Sequence, residues 1–231
     1  MCGRYYRRGS KQKIAEAFRA RKVDDFPLPD NDYNVAPSTM QPVIRQNRDT
    51  RERELVSLRW GLVPFWATDL KSFKGFSTIN ARGENITTSR TYGVPMKRGR
   101  RCLVPASGFY EWKKLDAKNK QPYAFDLTDG HMMAFAGLWD AWKDPANGQW
   151  LQSYTIITTE ANELMATVHN RMPVILHPRD FERWLDRGKT ERLPTDLLRP
   201  FPADEMEAFE VSKDVGNVKN NSPELLQGPV T

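Results

Sequence analysis

The chain has few of the residues that build metal centres and disulfide frameworks. Its 231 residues include two cysteines, Cys2 and Cys102, and three histidines. Neither CxxC nor HExxH spacing occurs, so no metal site is expected. No apolar run has the length of a bilayer span, so no membrane partner is expected. The N-terminus has no apolar leader, and the thiols are expected to stay reduced in a cytosolic or nuclear compartment. No GxGxxG follows a strand, and neither a Walker loop nor a GxSxG elbow is present, so no cofactor is expected. Repeats, low-complexity blocks and dividing linkers are also missing. A single domain over 1–216, a coil tail over 217–231 and a monomer are expected.

What is present is globular in composition, with 39% apolar and 28% charged residues. The net charge of +6 favours an anionic partner, nucleic acid first. Seven tryptophans stand beside many Arg and Lys. Rings and cations together suit a single strand, because bases stack on rings while cations follow phosphates. The alternative use of those rings is core filling.

The periodicity predicts a helix over Ser10–Arg21, capped by Ser10, with Ile14, Ala17 and Phe18 as its apolar stripe. A polar, Pro-containing stretch follows over 24–38. Strands are predicted at Pro42–Gln46, Glu54–Trp60, Arg101–Val104, Gly108–Trp112, Tyr123–Leu127, Met132–Leu138 and Ser153–Thr158. A surface loop is expected over Gly61–Lys74. Further helices are expected over Glu160–Val168, capped by Thr159, and over Pro178–Arg187, with Pro at its first position and Gly188 after its end. This order is not a βαβ alternation. It argues for an α+β single domain around a curved, barrel-like mixed sheet with flanking helices.

The start, Met1-Cys2-Gly3-Arg4, is chemically pointed. Methionine aminopeptidases normally remove a Met that precedes a residue as small as Cys. The product carries an amine and a thiol on adjacent carbons. The amine condenses with an aldehyde to a Schiff base, and the thiol closes a thiazolidine ring. Such a terminus is also a self-activated nucleophile. The other reading is a coincidence near the start codon. A cation as close as Arg4 would favour the thiolate.

Three polar clusters could serve it. In Thr78-Ile79-Asn80-Ala81-Arg82, an extended chain puts Thr78, Asn80 and Arg82 on one face, with Ile79 and Ala81 inward. Asn80 could hold another group by donating and accepting, or simply finish a turn. Glu111 lies among Phe109, Tyr110 and Trp112, where an apolar setting raises a carboxyl pKa toward that of a general acid/base. It could equally sit exposed on an edge strand. His169 and Arg171 project together if their segment is extended, which gives a proton shuttle beside a phosphate-binding fork. A helix-terminal role for His169 is the alternative. His131 and His177 read as structural, and Cys102 as core. The basic runs Arg4, Arg7, Arg8 and Lys97–Arg101 read as solvated faces.

Six stretches in this order resemble the SRAP family, the SOS-response-associated peptidases or abasic-site-processing proteins. They are MCGRY at the start, YNVAPS from Tyr33, RWGLVPFW from Arg59, TINAR from Thr78, GRRCLVPASGFYEW from Gly99 and HNRMPVIL from His169. The resemblance implies an SRAP-type barrel and covalent capture of abasic sites in single-stranded DNA through Cys2. It implies that Asn80 positions the terminal residue, that Glu111 and His169 form an acid/base pair, and that Arg82 and Arg171 hold phosphates. It places Arg4, Asn34, Pro37, Trp66 and Arg90 along a DNA channel. A peptidase activity that removes Met1 is a side implication. So is a location with the DNA, in the nucleus of a eukaryote or the cytoplasm and nucleoid otherwise. Two rivals remain. Glutamine amidohydrolases with an N-terminal nucleophile also begin Met-Cys-Gly, although their Asn-Gly motif has no counterpart beyond Asn147-Gly148 in an ordinary turn. A passive single-strand binder with an incidental Cys2 is the other.

Overall fold

The computed structural model describes residues 2–70, 78–188 and 192–228. Its strands are β1 (Tyr5–Arg8), β2 (Lys22–Val23), β3 (Asn31–Val35), β4 (Met40–Gln46), β5 (Arg53–Trp60), β6 (Asn80–Arg82), β7 (Arg101–Ala106), β8 (Gly108–Lys114), β9 (Lys120–Leu127), β10 (Met133–Lys143), β11 (Trp150–Glu160), β12 (Arg171–Pro173) and β13 (Met206–Glu210). Its α-helices are short: α1 (Lys11–Ala17), α2 (Gly93–Lys97), α3 (Glu163–Ala166) and α4 (Phe181–Leu185).

Five strands close a barrel. β4 pairs antiparallel with β5 and β7, β7 with β10, and β10 with β11. β11 returns parallel to β5, with Ser153 opposite Arg59, which makes the barrel mixed. Closure leaves these strands no free edge. An antiparallel sheet in the order β13-β9-β8-β1-β3 stands against it. The expected α+β single domain with a curved, barrel-like sheet is the fold observed.

Alternation explains why the barrel strands are apolar on both faces. Val43, Val56, Val104, Phe135 and Ile156 join Tyr5, Phe109 and Phe125 of the second sheet in one buried cluster. Their neighbours Ile44, Leu55, Leu103, Ala136 and Ile157 point the other way, under Phe18, Met96, Phe181 and Trp184. Two glycines permit close approaches. A Cβ on Gly137 would lie 2.9 Å from both Cys102 Sγ and Thr155 O, and one on Gly108 would meet Tyr6 and Asp126.

The predicted strands all exist and run longer, because pairing continues past the expected ends: β7 goes on through Pro105 and Ala106 against β10, and β10, which starts at Met133, goes on through Trp139–Lys143 against β11. Other expectations need correction. Helix α1 ends at Ala17, after which Arg19 takes φ +52, and its buried residues are Ile14 and Ala15 with Phe18 at the cap; Ala17 faces out. Ser10 does cap it, accepting from Lys13 N–H. The stretch 24–38 contains β3, held by β1. Glu160 ends β11, so Asn162 caps the short α3 in place of Thr159. Pro178–Asp180 is a 3-10 turn before α4. In the expected surface loop, Leu62 and Val63 are buried, and residues 71–74 lie outside the described residues. Beyond 217, Pro223–Leu226 forms a 3-10 turn and buries Leu225 against Tyr6 and Tyr110.

Two arginines from the expected solvated runs are core residues. Arg7 is fully buried and donates to the carbonyls of Gly9, Pro29 and Asp30. Arg101 donates to the carbonyls of Trp184, Met96 and Asp186, tying β7 to α2 and α4; burial pulls its pKa down to about 10. No helix among the described residues is long and apolar enough to cross a membrane.

Candidate active site around Cys2

The register of β1 on β8 brings the N-terminus to its candidate partners. Tyr5 stands opposite Phe109 and Tyr6 opposite Gly108, and Tyr110 N–H donates to Arg4 O. Continued toward the N-terminus beyond the start of β1, that register sets Gly3 opposite Glu111 and Cys2 opposite Trp112. Cys2 is fully buried in the cluster shared by the barrel strands and the second sheet. Its thiol pKa is pushed well above the ordinary range, first by loss of water and then by the Glu111 carboxylate. Burial thus works against the thiolate expected from Arg4. Arg4 turns its guanidinium to Asn34 Oδ1 at 2.7 Å and to Val215 O at 3.0 Å.

Asn80 reaches Cys2 directly, as its Nδ2 donates to the Cys2 carbonyl at 2.9 Å. The strand behind it is pinned from several sides. Asn80 pairs with Ile156 of β11, Trp60 Nε1 donates to Ile79 O, and Tyr92 Oη donates to Asn80 O. Asn80 Oδ1 is buried and has no hydrogen-bond partner among the described residues. Thr78 and Asn80 do alternate with Ile79 and Ala81, but both sets are buried, because β6 lies inside the molecule rather than at its surface. Glu111 is 4% exposed on β8, so the apolar setting read from its neighbours is present.

His169 follows α3 and is half-buried. Arg171 N–H donates to its Nδ1 at 3.0 Å. Nδ1 is thus an acceptor, and a neutral ring carries its proton on Nε2. β6 and β12 flank opposite sides of β11 at Thr158, where Arg82 pairs on one side and Pro173 on the other. Arg82 is exposed. Arg171 makes a two-pronged ion pair with Glu84 and donates to Thr158 O at 2.8 Å. That pairing holds the Glu84 carboxyl below its usual range.

The remaining candidates form two groups. Arg4, Asn34 and Pro37 line a cleft of about 440 Å³ with Val218 and Asn221. Asn34 is committed to the C-terminal segment, donating from Nδ2 to the carbonyls of Val215, Asn217 and Asn220. Trp66 and Arg90 form the second group, the guanidinium lying 4.4 Å from the ring centre. His131 pairs with Asp129 at the surface, and His177 packs on Phe201 at 4.5 Å. Cys102 is buried, as expected.

Glu84, Tyr92 and the carbonyls of 215–220 were not found from sequence. Glu84 meets Arg171 across 87 positions, and no local pattern signals such a contact.

A mixed barrel packed against a second sheet, with a buried Cys2 whose carbonyl accepts from Asn80 and whose thiol feels the Glu111 carboxylate, defines the class of fold and site. The chain belongs to the SRAP family: the family model described as SOS response associated peptidase (SRAP) matches residues 1–218. It is 42% identical over 232 residues to the abasic site processing protein YoqW of Bacillus subtilis, across 98% of this chain and 99% of that one. It is 34% identical to the abasic site processing protein HMCES of Xenopus tropicalis, across 84% of this chain and 65% of that one. A crystal structure of a Bacteroides thetaiotaomicron protein superimposes with a TM-score of 0.85 at 26% identity, covering 99% of this chain and 100% of that one.

Proposed function

We propose that the protein recognises abasic sites in single-stranded DNA and captures them covalently through Cys2 once Met1 is removed. The observation that carries this is the Asn80–Cys2 hydrogen bond beside the buried Glu111. A nucleophile is held there between a positioning amide and a base. The names of the relatives, abasic site processing proteins, support the substrate.

The chemistry follows from the groups present. An abasic sugar in its ring-closed form must first open. His169 Nε2–H can give a proton to the ring oxygen while the C1′ hydroxyl loses one, leaving an aldehyde. The Cys2 amine attacks C1′, and water leaves with the carbonyl oxygen, which gives a Schiff base. The unpartnered Asn80 Oδ1 offers an acceptor to that amine. Burial and the Glu111 carboxylate both disfavour the thiolate, so the first attack is assigned to the amine. The thiol adds second: the S–C1′ bond forms, Glu111 takes the thiol proton, and the imine nitrogen gains one. The product is a thiazolidine. Arg82 and Arg171 would orient the flanking phosphates, with Arg171 exchanging Glu84 for a phosphate. Trp66 would stack on a neighbouring base. Duplex DNA would have to unpair to deliver the sugar, so single strands are the preferred substrate. Removal of Met1 by the protein itself, as a cysteine peptidase, is the side activity proposed with it.

Intact mass spectrometry tests the reading. The protein should lack Met1 and gain the mass of an abasic oligonucleotide less one water, with the adduct on Cys2. Equal adduct formation by Cys2→Ala would sink the mechanism. Glutamine hydrolysis without DNA would move the chain to the amidohydrolase reading.

A further inference from the structure

Away from Cys2, five arginines line one bowl of about 620 Å³: Arg48, Arg51, Arg98, Arg100 and Arg187. They come from the β4–β5 turn, the end of α2 and the segment after α4, so tertiary folding alone assembles them. Two have carboxylates, Arg100 with Asp140 and Arg51 with Asp186 at 3.6 Å. Arg48, Arg98 and Arg187 have no carboxylate within ion-pair distance among the described residues. Two of the five, Arg100 and Arg187, lie 5.4 and 5.8 Å from the ring of the buried Trp139, which Arg45 also approaches at 4.4 Å. Burial and the neighbouring arginines hold Arg187 below its ordinary pKa. So many like charges in one hollow repel each other, and an anion with several oxygens would relieve that.

The bowl is joined to the loop that carries Trp66. Asp140, fully buried, accepts Phe65 N–H at 3.2 Å through one oxygen and the Arg100 guanidinium through the other. Arg98 lies 5.8 Å from the ring of Phe65, which is 48% exposed, and Arg90 lies over the next ring, Trp66. Alternating rings and cations therefore lead from Trp66 into the bowl, the pattern that suits a single strand.

We propose that this bowl is a second nucleic-acid site, which takes the phosphodiester backbone of the strand beyond the nucleotides at Cys2. The inference rests on the reading that the protein engages DNA. Its test uses the exposed pair Arg48→Ala and Arg98→Ala together. Binding of a lesion-free 25-nucleotide strand is measured by fluorescence anisotropy across salt, and crosslinking of an abasic hexanucleotide by gel. The double variant should bind the long strand about fivefold to tenfold more weakly. Its plot of log affinity against log salt should flatten by about 0.7 for each phosphate that is no longer neutralised. Hexanucleotide crosslinking should match wild type. If the variant crosslinks and binds the long strand like wild type, the bowl is not a strand site and only this proposal falls. If wild type neither binds nor crosslinks DNA, both readings fall. Tripolyphosphate that fills the bowl without competing with the long strand would make it a small-anion site and overturn the assignment.

Discussion

Burial of Cys2 and the Glu111 carboxylate both act on the thiol, and the proposed order of bond formation can be perturbed through either. Glu111 helps to raise the thiol pKa, so Glu111→Gln should lower it while removing the base. Alkylation of Cys2 should then begin at lower pH, yet adduct formation should slow by about 10²–10⁴-fold. An unchanged alkylation profile would separate the two side chains. Asn80→Ala strips the Cys2 carbonyl of its donor and should slow capture by roughly 10–100-fold, the equivalent of about 1–3 kcal/mol for a buried unpaired group. Crosslinking rates at saturating DNA measure this, and affinity for lesion-free DNA should hold.

The site depends on short elements pinned by side chains from far away. Asn34 on β3 holds the segment 215–220 with three donated bonds from one amide. Asn34→Ala should cost about 2–4 kcal/mol. Protease cleavage between 217 and 228 should rise, since Leu225 would lose its anchor; a resistant C-terminal segment would show that its packing suffices. Glu84, just after β6, restrains Arg171 on β12. The carboxylate is half exposed, so Glu84→Gln should change stability by less than about 1 kcal/mol. It should tighten binding of single-stranded DNA about twofold to fivefold by freeing a cation. Weaker binding would mean that the pair orders Arg171 for its ligand.

For the whole molecule, a contact between β1 and β9, made across Gly108 of the intervening β8, adds a pH-dependent term to stability. Asp126 accepts from Tyr6 Oη, and burial, then Glu207, raise its pKa from 3.8 to about 7. The folded chain therefore holds a proton that the unfolded chain releases between those values. Stability from this group is full below about pH 4 and is lost as pH rises through 7. Asp126→Asn mimics the protonated form. It should be more stable than wild type at pH 8 by about 1–3 kcal/mol, with Arg8 opposing, and equal to it near pH 4. Thermal melts at both pH values decide it.

Apolar alternation and β-branched runs were enough to find the barrel strands, and the motif strings were enough for the family. Cys2, Asn80 and Glu111 were legible because each lies in a distinctive local string. Their meeting was not derivable from spacing, since Asn80 reaches Cys2 across 78 positions. Arginine was the least legible residue. Its sequence context is the same whether it is buried, like Arg7 and Arg101, paired, like Arg171, or gathered into the bowl. Its carbonyl or carboxylate partners come from remote strands, and only closure of the barrel chooses among them. Sequence by itself determined the residue types available for the chemistry and the periodicity that builds the sheet. Tertiary structure decided which charges lose water and which keep it, because desolvation depends on what covers a group in space and not on its neighbours along the chain.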